Sequence, residues 1–226
     1  MTERVFILIP SYNEEKVIRQ TIRSLGNAYD IVLIDDASTD DTENAVRDLP
    51  IYYLRHEINL GQGAALQTGM EFARQQGADI VVHFDADGQH NPDDIDRFIQ
   101  VLKTQSVDVV LGSRFLRKED LLAIPRLRRI LLRVARIVNG LLSGLWLSDA
   151  HNGFRVMNRR ALAGIQLKEN RMAHATEILM QIRRKQLRYV EQPTHIIYTE
   201  YSQVKGQRWQ GAFDILIDVF INKYFR

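Results

Sequence analysis

Five short apolar runs, at 5–9, 31–34, 51–54, 80–84 and 107–111, alternate with stretches of helical patterning at about 14–25, 42–47, 63–75 and 92–103. Runs of that length, rich in Ile, Val and Leu, read as buried strands. Their alternation with helices predicts an α/β fold, a mostly parallel central sheet flanked by helices. Ligands then belong at the carboxyl ends of the strands. Local punctuation agrees: Asn13 stands ahead of Glu14-Glu15, Ser38 and Thr39 precede the second helix, and Pro92 sits where a first turn tolerates it.

The 226 residues, 45% of them hydrophobic, suffice for one substantial core, so a single domain over 1–226 is expected. A formal net charge of +2 is too small to imply nucleic-acid binding. The absence of cysteine excludes disulfides and thiolate metal sites and fits a reducing cytoplasmic compartment. Met1 to Arg4 leads straight into the first strand, with no signal peptide, and no run reaches the ~18 apolar residues of a spanning helix.

The strand ends carry the chemistry. The run at 80–84 closes on Asp85-Ala86-Asp87-Gly88-Gln89-His90, delivering two carboxylates and an amide oxygen into the crevice. Hard oxygen donors, with the remaining positions left to water and phosphate, suit Mg²⁺ or Mn²⁺ on a nucleotide diphosphate. A solvated turn with Asp87-Gly88 at its corner is the plain alternative. Pro10-Ser11-Tyr12-Asn13-Glu14 follows the first strand and Asp35-Asp36-Ala37-Ser38 the second, offering a ring, carboxylates and acceptors for base or ribose; each is also an ordinary turn or cap. Asn59-Leu60-Gly61-Gln62-Gly63 permits close backbone approach but lacks the spacing of a dinucleotide fingerprint. No histidine pair has zinc-ligand spacing, and His90 reads as a supporting or structural residue.

After Arg114 the character changes. Residues 121–147 combine Leu, Ile and Val with Arg126, Arg128, Arg129, Arg133 and Arg136, and residues 209–225 are apolar on one side. Basic amphipathic segments of this kind suit a bilayer surface, or an ordinary surface helix or dimer seam. Arginine there also suits a lipid phosphate.

The ordered series Pro10-x-Tyr12-Asn13-Glu14, Asp35-Asp36-x-Ser38-x-Asp40, Asn59-x-Gly61-x-Gly63, Asp85-x-Asp87-x-Gln89-His90-x-Pro92, Gly112-Ser113-Arg114 and Gly153-Phe154-Arg155 resembles the family 2 glycosyltransferases of GT-A fold. Within them it most resembles the branch of dolichol-phosphate mannose synthase and bacterial polyprenyl-phosphate glycosyltransferases. The resemblance implies a nucleotide-sugar-binding half at 1–115, an acceptor half at 116–206 and a C-terminal amphipathic helix at 207–226. It implies nucleotide-sugar contacts from Pro10, Tyr12, Glu14, Asp35 or Asp36, Gly63 and Lys205. Asp85 falls at the donor ribose and sugar, and Asp87 and Gln89 at the metal. Arg114 falls where an arginine faces the donor diphosphate and the acceptor phosphate, and Arg126, Arg133 and Arg155 are further candidates for the acceptor phosphate. The loop before Lys205 departs from the family pattern, with Thr199 where an arginine is common.

The implied activity is inverting, metal-dependent sugar transfer from a nucleotide diphosphate to a polyprenyl phosphate by a peripheral protein at the cytoplasmic membrane face. Many relatives of this branch continue into transmembrane helices, and a stop at Arg226 points to a small integral membrane partner. Two alternatives accompany this reading. One is transfer to a glycan or glycolipid hydroxyl, with Asp149 or Glu177 as general base. The other is a non-catalytic membrane scaffold that binds the nucleotide sugar.

Overall fold

The computed structural model describes residues 3–116, 137, 140, 141, 143–150, 152–171, 173–195 and 197. In chain order the elements are β1 (Val5–Ser11), α1 (Ile18–Ser24), β2 (Asp30–Asp35), α2 (Thr42–Val46), β3 (Tyr52–Arg55), α3 (Gln62–Gln75) and β4 (Ile80–His83). They continue with α4 (Asp93–Thr104), β5 (Val109–Ser113), β6 (Arg155–Asn158), α5 (Arg159–Gly164), α6 (His174–Arg184) and β7 (Tyr189–Pro193). Most of 121–147 and all of 209–225 lie outside the described residues, as do Arg126, Arg133 and Lys205.

Among the described residues seven strands form one sheet, in the order β3-β2-β1-β4-β6-β5-β7. All pairs are parallel except those of β6, which runs antiparallel to both β4 and β5. The chain winds outward from β1 through β2 to β3, then returns to lay β4 on the other side of β1. That reversal opens a crevice beyond the carboxyl ends of β1 and β4, the place where open α/β sheets bind ligands.

Strand alternation divides the core. Phe6 and Leu8 of β1 face α3, α5 and α6 with Val81, Met70 and Ile178, while Ile7 and Ile9 face α1 and α4 with Val82, Ile18 and Phe98. These side chains are buried. Both faces are covered, which is why the strands read as continuous apolar runs and not as alternating ones.

Helix entries differ from expectation in instructive ways. Asn13, expected to cap α1, has φ of 56° and its Oδ1 accepts from the backbone N–H of Thr39 at 2.8 Å, so it ties two crevice loops together. Ser38 does the reciprocal work, its Oγ accepting from the Asn13 N–H at 2.9 Å. The helix itself begins only at Ile18. By contrast Asn158 caps α5 in the ordinary way, accepting from the Ala161 N–H at 2.9 Å.

Candidate active site

A cleft of about 500 Å³ opens at the crevice between β1 and β4. It gathers six of the residues expected at the donor: Pro10, Tyr12, Glu14, Asp36, Asp85 and Asp87. Tyr12 presents an exposed ring at the mouth, whereas Glu14 and Asp36 are buried in the wall. The strand register delivers the acids: β1 ends beside Asp35 of β2, and Phe84 continues from β4 by donating its N–H to the Leu8 carbonyl at 3.0 Å.

Asp85 is held from three sides. Its Oδ2 accepts from Nε2 of His90 at 2.8 Å, and its Oδ1 accepts from the Gln62 amide at 3.2 Å. The third side is steric, because a Cβ on Gly153 would stand 2.4 Å from Asp85 Oδ2. The His90 ring is itself wedged against Phe84 and Phe154, with centroids 5.4 and 5.3 Å away. Burial opposes ionisation of Asp85, but the attraction and hydrogen bond of His90, with the Arg155 charge behind, outweigh it and hold the carboxyl below its usual range.

Asp87 is the opposite case. Burial and then the charge of Asp85 raise its pKa to about 6. The repulsion of Asp85 and Glu14 on this half-buried carboxylate exceeds what the Gln89 N–H and His90 offset. Such a donor set fits a hard divalent cation. Among the described residues no three His, Cys, Asp or Glu side chains group to hold a metal ion, so a cation at Asp87 would need further ligands from phosphate and water. Gln89 lies in the same turn, where its N–H donates to Asp87 Oδ1 at 3.1 Å.

Several expected residues are placed elsewhere. Asp35 is fully buried, accepting from Tyr53 Oη at 2.5 Å, from Arg55 at 2.7 Å and from the Ser38 N–H at 2.8 Å. It braces the second crevice loop and does not line the cleft. Asp36 reaches the cleft, yet it also accepts from the backbone N–H groups of Leu60 and Gly61 at 2.9 and 2.6 Å and from His56 at 2.7 Å. Gly63 does serve close backbone approach, but to the chain's own loop: a Cβ there would stand 2.0 Å from the Glu169 carbonyl oxygen.

Arg114 lies at the end of β5, outside the lining of the cleft, and is clamped by Asp149. Its Nε donates to Oδ2 at 2.7 Å and its Nη2 to Oδ1 at 2.9 Å. Glu191 in turn holds the Ser148 and Asp149 N–H groups at 2.9 and 3.1 Å. Neither acid considered as a base is poised for one: Asp149 is committed to Arg114, and Glu177 accepts from the N–H groups of Lys168 and Glu169 at 2.9 and 3.0 Å.

Arg155, expected at the acceptor phosphate, is only 2% exposed and sits behind Asp85. Burial lowers its pKa to about 10 against the attraction of Asp85 and Asp149. Its strand partner His83 is buried, and among the described residues neither ring nitrogen has a hydrogen-bond partner. Burial, helped by the Arg155 charge, pushes His83 well below its usual range and His174 down to about 4. The Arg155 charge thus reaches the site through Asp85.

Sequence reasoning left the supporting roles of Gln62, Asp149 and Gly153 unassigned. No local signal in the sequence announces them, because Gly153 reaches Asp85 only where β6 enters the sheet between β4 and β5.

Residues 6–165 match the family model described as Glycosyl transferase family 2. The chain is 32% identical to the UDP-N-acetylglucosamine–dolichyl-phosphate N-acetylglucosaminyltransferase of Methanococcus voltae, over 97% of this chain and 96% of that protein. It is 28% identical to the undecaprenyl-phosphate mannosyltransferase of Micrococcus luteus, over 89% and 87%. Its fold is similar to that of glucosyl-3-phosphoglycerate synthase from Mycobacterium tuberculosis, solved with Mn²⁺, UDP and glucosyl-3-phosphoglycerate. The TM-score is 0.68 at 17% identity, covering 97% of this chain and 79% of that one. No helix among the described residues is long and apolar enough to cross a membrane.

Proposed function

Because this chain belongs to glycosyl transferase family 2 and is a glycosyltransferase of GT-A fold, we propose that it moves a sugar from a nucleotide diphosphate to a polyprenyl phosphate. The single observation that carries the donor side is the convergence of Asp85 and Asp87 with Tyr12 and Glu14 in one cleft at the sheet's switch point. The acceptor class rests on the two relatives named for dolichyl and undecaprenyl phosphate.

In the mechanism, Tyr12, Glu14 and Asp36 hold the nucleoside, and Asp85, fixed by His90 and Gln62, accepts hydroxyl hydrogens of ribose or sugar. Asp87 and Gln89 are the residues that would hold Mg²⁺ or Mn²⁺. The cation supplies charge neutralisation on the leaving diphosphate. Arg114, kept rigid by Asp149, faces the acceptor phosphate and orients its oxygen for attack. The phosphate oxygen forms a bond to the anomeric carbon as the bond to the diphosphate oxygen breaks, which inverts the configuration. A phosphate monoester loses its second proton near pH ~6, so the nucleophile is already anionic and needs no base.

The commitment of Asp149 and Glu177 favours this reading over transfer to a hydroxyl, which requires a general base. The site of action is the cytoplasmic membrane face, where the lipid acceptor presents its phosphate. A panel of nucleotide sugars offered with undecaprenyl and dolichyl phosphate tests the proposal. Acid-labile sugar phosphate that depends on divalent cation is expected from the intact chain, with none from Asp87→Ala. Hydroxyl-linked product alone, or turnover untouched by chelator, overturns it.

A further inference from the structure

A second and larger cavity, about 640 Å³, lies away from the donor cleft against the carboxyl-terminal half of α6. Lys168, Arg183, Arg184 and Lys185 line it together with Met180 and Ser143. Its acid, Glu177, is occupied by the backbone N–H groups of Lys168 and Glu169 and by the Gln181 amide at 3.1 Å, so the groove presents positive charge outward. One wall is the turn around Gly144, whose carbonyl accepts from Arg183 Nη1 at 2.7 Å. Along the chain beside that wall, Ile137, Leu141 and Trp146 expose 52, 70 and 60% of their surface. Gly140 makes room for the indole, because a Cβ there would stand 2.8 Å from the ring.

We propose that this groove, together with the exposed Ile137, Leu141 and Trp146 that neighbour its Ser143–Gly144 wall in the chain, forms a bilayer-docking surface that takes anionic lipid headgroups, distinct from the donor cleft. The inference rests on the lipid acceptor proposed above and names the surface that brings the chain to it. Charge complementarity selects the occupant: four cations with their acid satisfied suit phosphate headgroups. An indole beside aliphatic side chains suits the boundary between headgroup and acyl chain. Arginine and lysine stems lie along apolar surface while their heads meet phosphate.

Co-sedimentation with vesicles of equal parts phosphatidylglycerol and phosphatidylcholine tests it, against vesicles of phosphatidylcholine alone. The intact chain is expected to partition to the anionic vesicles, less so as salt rises. Each basic residue near such a surface is worth about fivefold, so the double variant Arg184→Gln, Lys185→Gln should lose about thirtyfold in partitioning. Trp146→Ser should weaken binding to both vesicle types. Both variants should transfer sugar to a short-chain polyprenyl phosphate in detergent at the rate of the intact chain. Partitioning unchanged in both variants overturns the proposal, as does an intact chain that ignores anionic vesicles, which would leave an acidic protein as the groove's occupant. Groove-dependent vesicle binding without any transfer to the short-chain acceptor would sustain the docking surface and defeat the acceptor assignment alone.

Discussion

Arg114 and Asp149 meet through two parallel hydrogen bonds of 2.7 and 2.9 Å, and the Arg114 backbone N–H adds a third to the same carboxylate at 3.1 Å. The carboxylate is nearly fully buried, while the guanidinium keeps about a quarter of its side chain exposed. A fork held in this way presents its outer edge in one orientation, as a phosphate ligand requires. Asp149→Ala should therefore cost about 3 kcal/mol of stability, the usual result of removing one partner of a buried pair. Asp149→Asn keeps one acceptor and should slow transfer by about tenfold to hundredfold without abolishing it. Urea unfolding and turnover on the same preparations check both, and complete loss in Asp149→Asn would point to a general base after all.

His90 offers a cleaner separation of packing from chemistry. Its Nε2 holds Asp85, whereas its buried Nδ1 has no hydrogen-bond partner among the described residues. His90→Phe keeps a ring between Phe84 and Phe154 and removes the orphaned nitrogen together with the useful one. Stability should fall by about 1–3 kcal/mol, the cost of leaving a carboxylate without its hydrogen bond, while turnover falls about tenfold to hundredfold, the range typical of lost supporting contacts. Thermal melts beside turnover decide the matter: a variant equally active would show that Asp85 needs no orientation from His90.

Gly153 is required by proximity. Its φ lies outside the left-handed region, yet a Cβ would press on Asp85 at 2.4 and 2.7 Å from the two carboxylate oxygens. Gly153→Ala must displace Asp85, and a shift of about 1 Å in a positioned group costs on the order of a hundredfold in rate. Gly77 supplies the control. It has φ of +79° with nothing within 4 Å of a Cβ, so Gly77→Ala should cost about 1 kcal/mol in backbone strain and leave turnover intact.

The donor side was legible because its signals are local. Runs such as 80–84 fix strands by composition, and a parallel sheet then forces Tyr12, Asp36 and Asp85 to one edge. The reading overreached where an acid's partners come from afar. Asp35 looks like a ribose ligand in sequence, but Tyr53 and Arg55, on the neighbouring strand β3, claim it. Arg155 is expected at the acceptor phosphate, yet it lies on β6, which enters antiparallel and buries it opposite His83. Nothing in the short run 155–158 announces an antiparallel strand between β4 and β5. The same insertion brings Gly153 against Asp85, a contact across 68 residues that no periodicity records.

The titration of Asp87 gives a prediction whose sign runs against the common case for carboxylates. Its folded pKa, raised to about 6 by burial and Asp85, means that its contribution to stability is full at low pH and is lost as pH rises through 6. His83 and His174 act oppositely in the same window. Burial lowers both, His174 to about 4, so their contribution is present above pH ~6.5, the unfolded value, and is lost as pH falls. A melt at one pH therefore mixes the two. The difference between melts with and without MnCl₂ removes the histidines, which bind no metal in this reading, and isolates Asp87. A cation competes with the Asp87 proton below pH 6 and relieves its repulsion from Asp85 above it. The Mn²⁺-induced rise in Tm should accordingly be small at pH 5, grow with a midpoint near pH 6 and level off by pH 8, and it should vanish in Asp87→Asn at every pH. An increment independent of pH, or one surviving in Asp87→Asn, would place the cation on other residues and remove the physical reason for the strained pair at the end of β4.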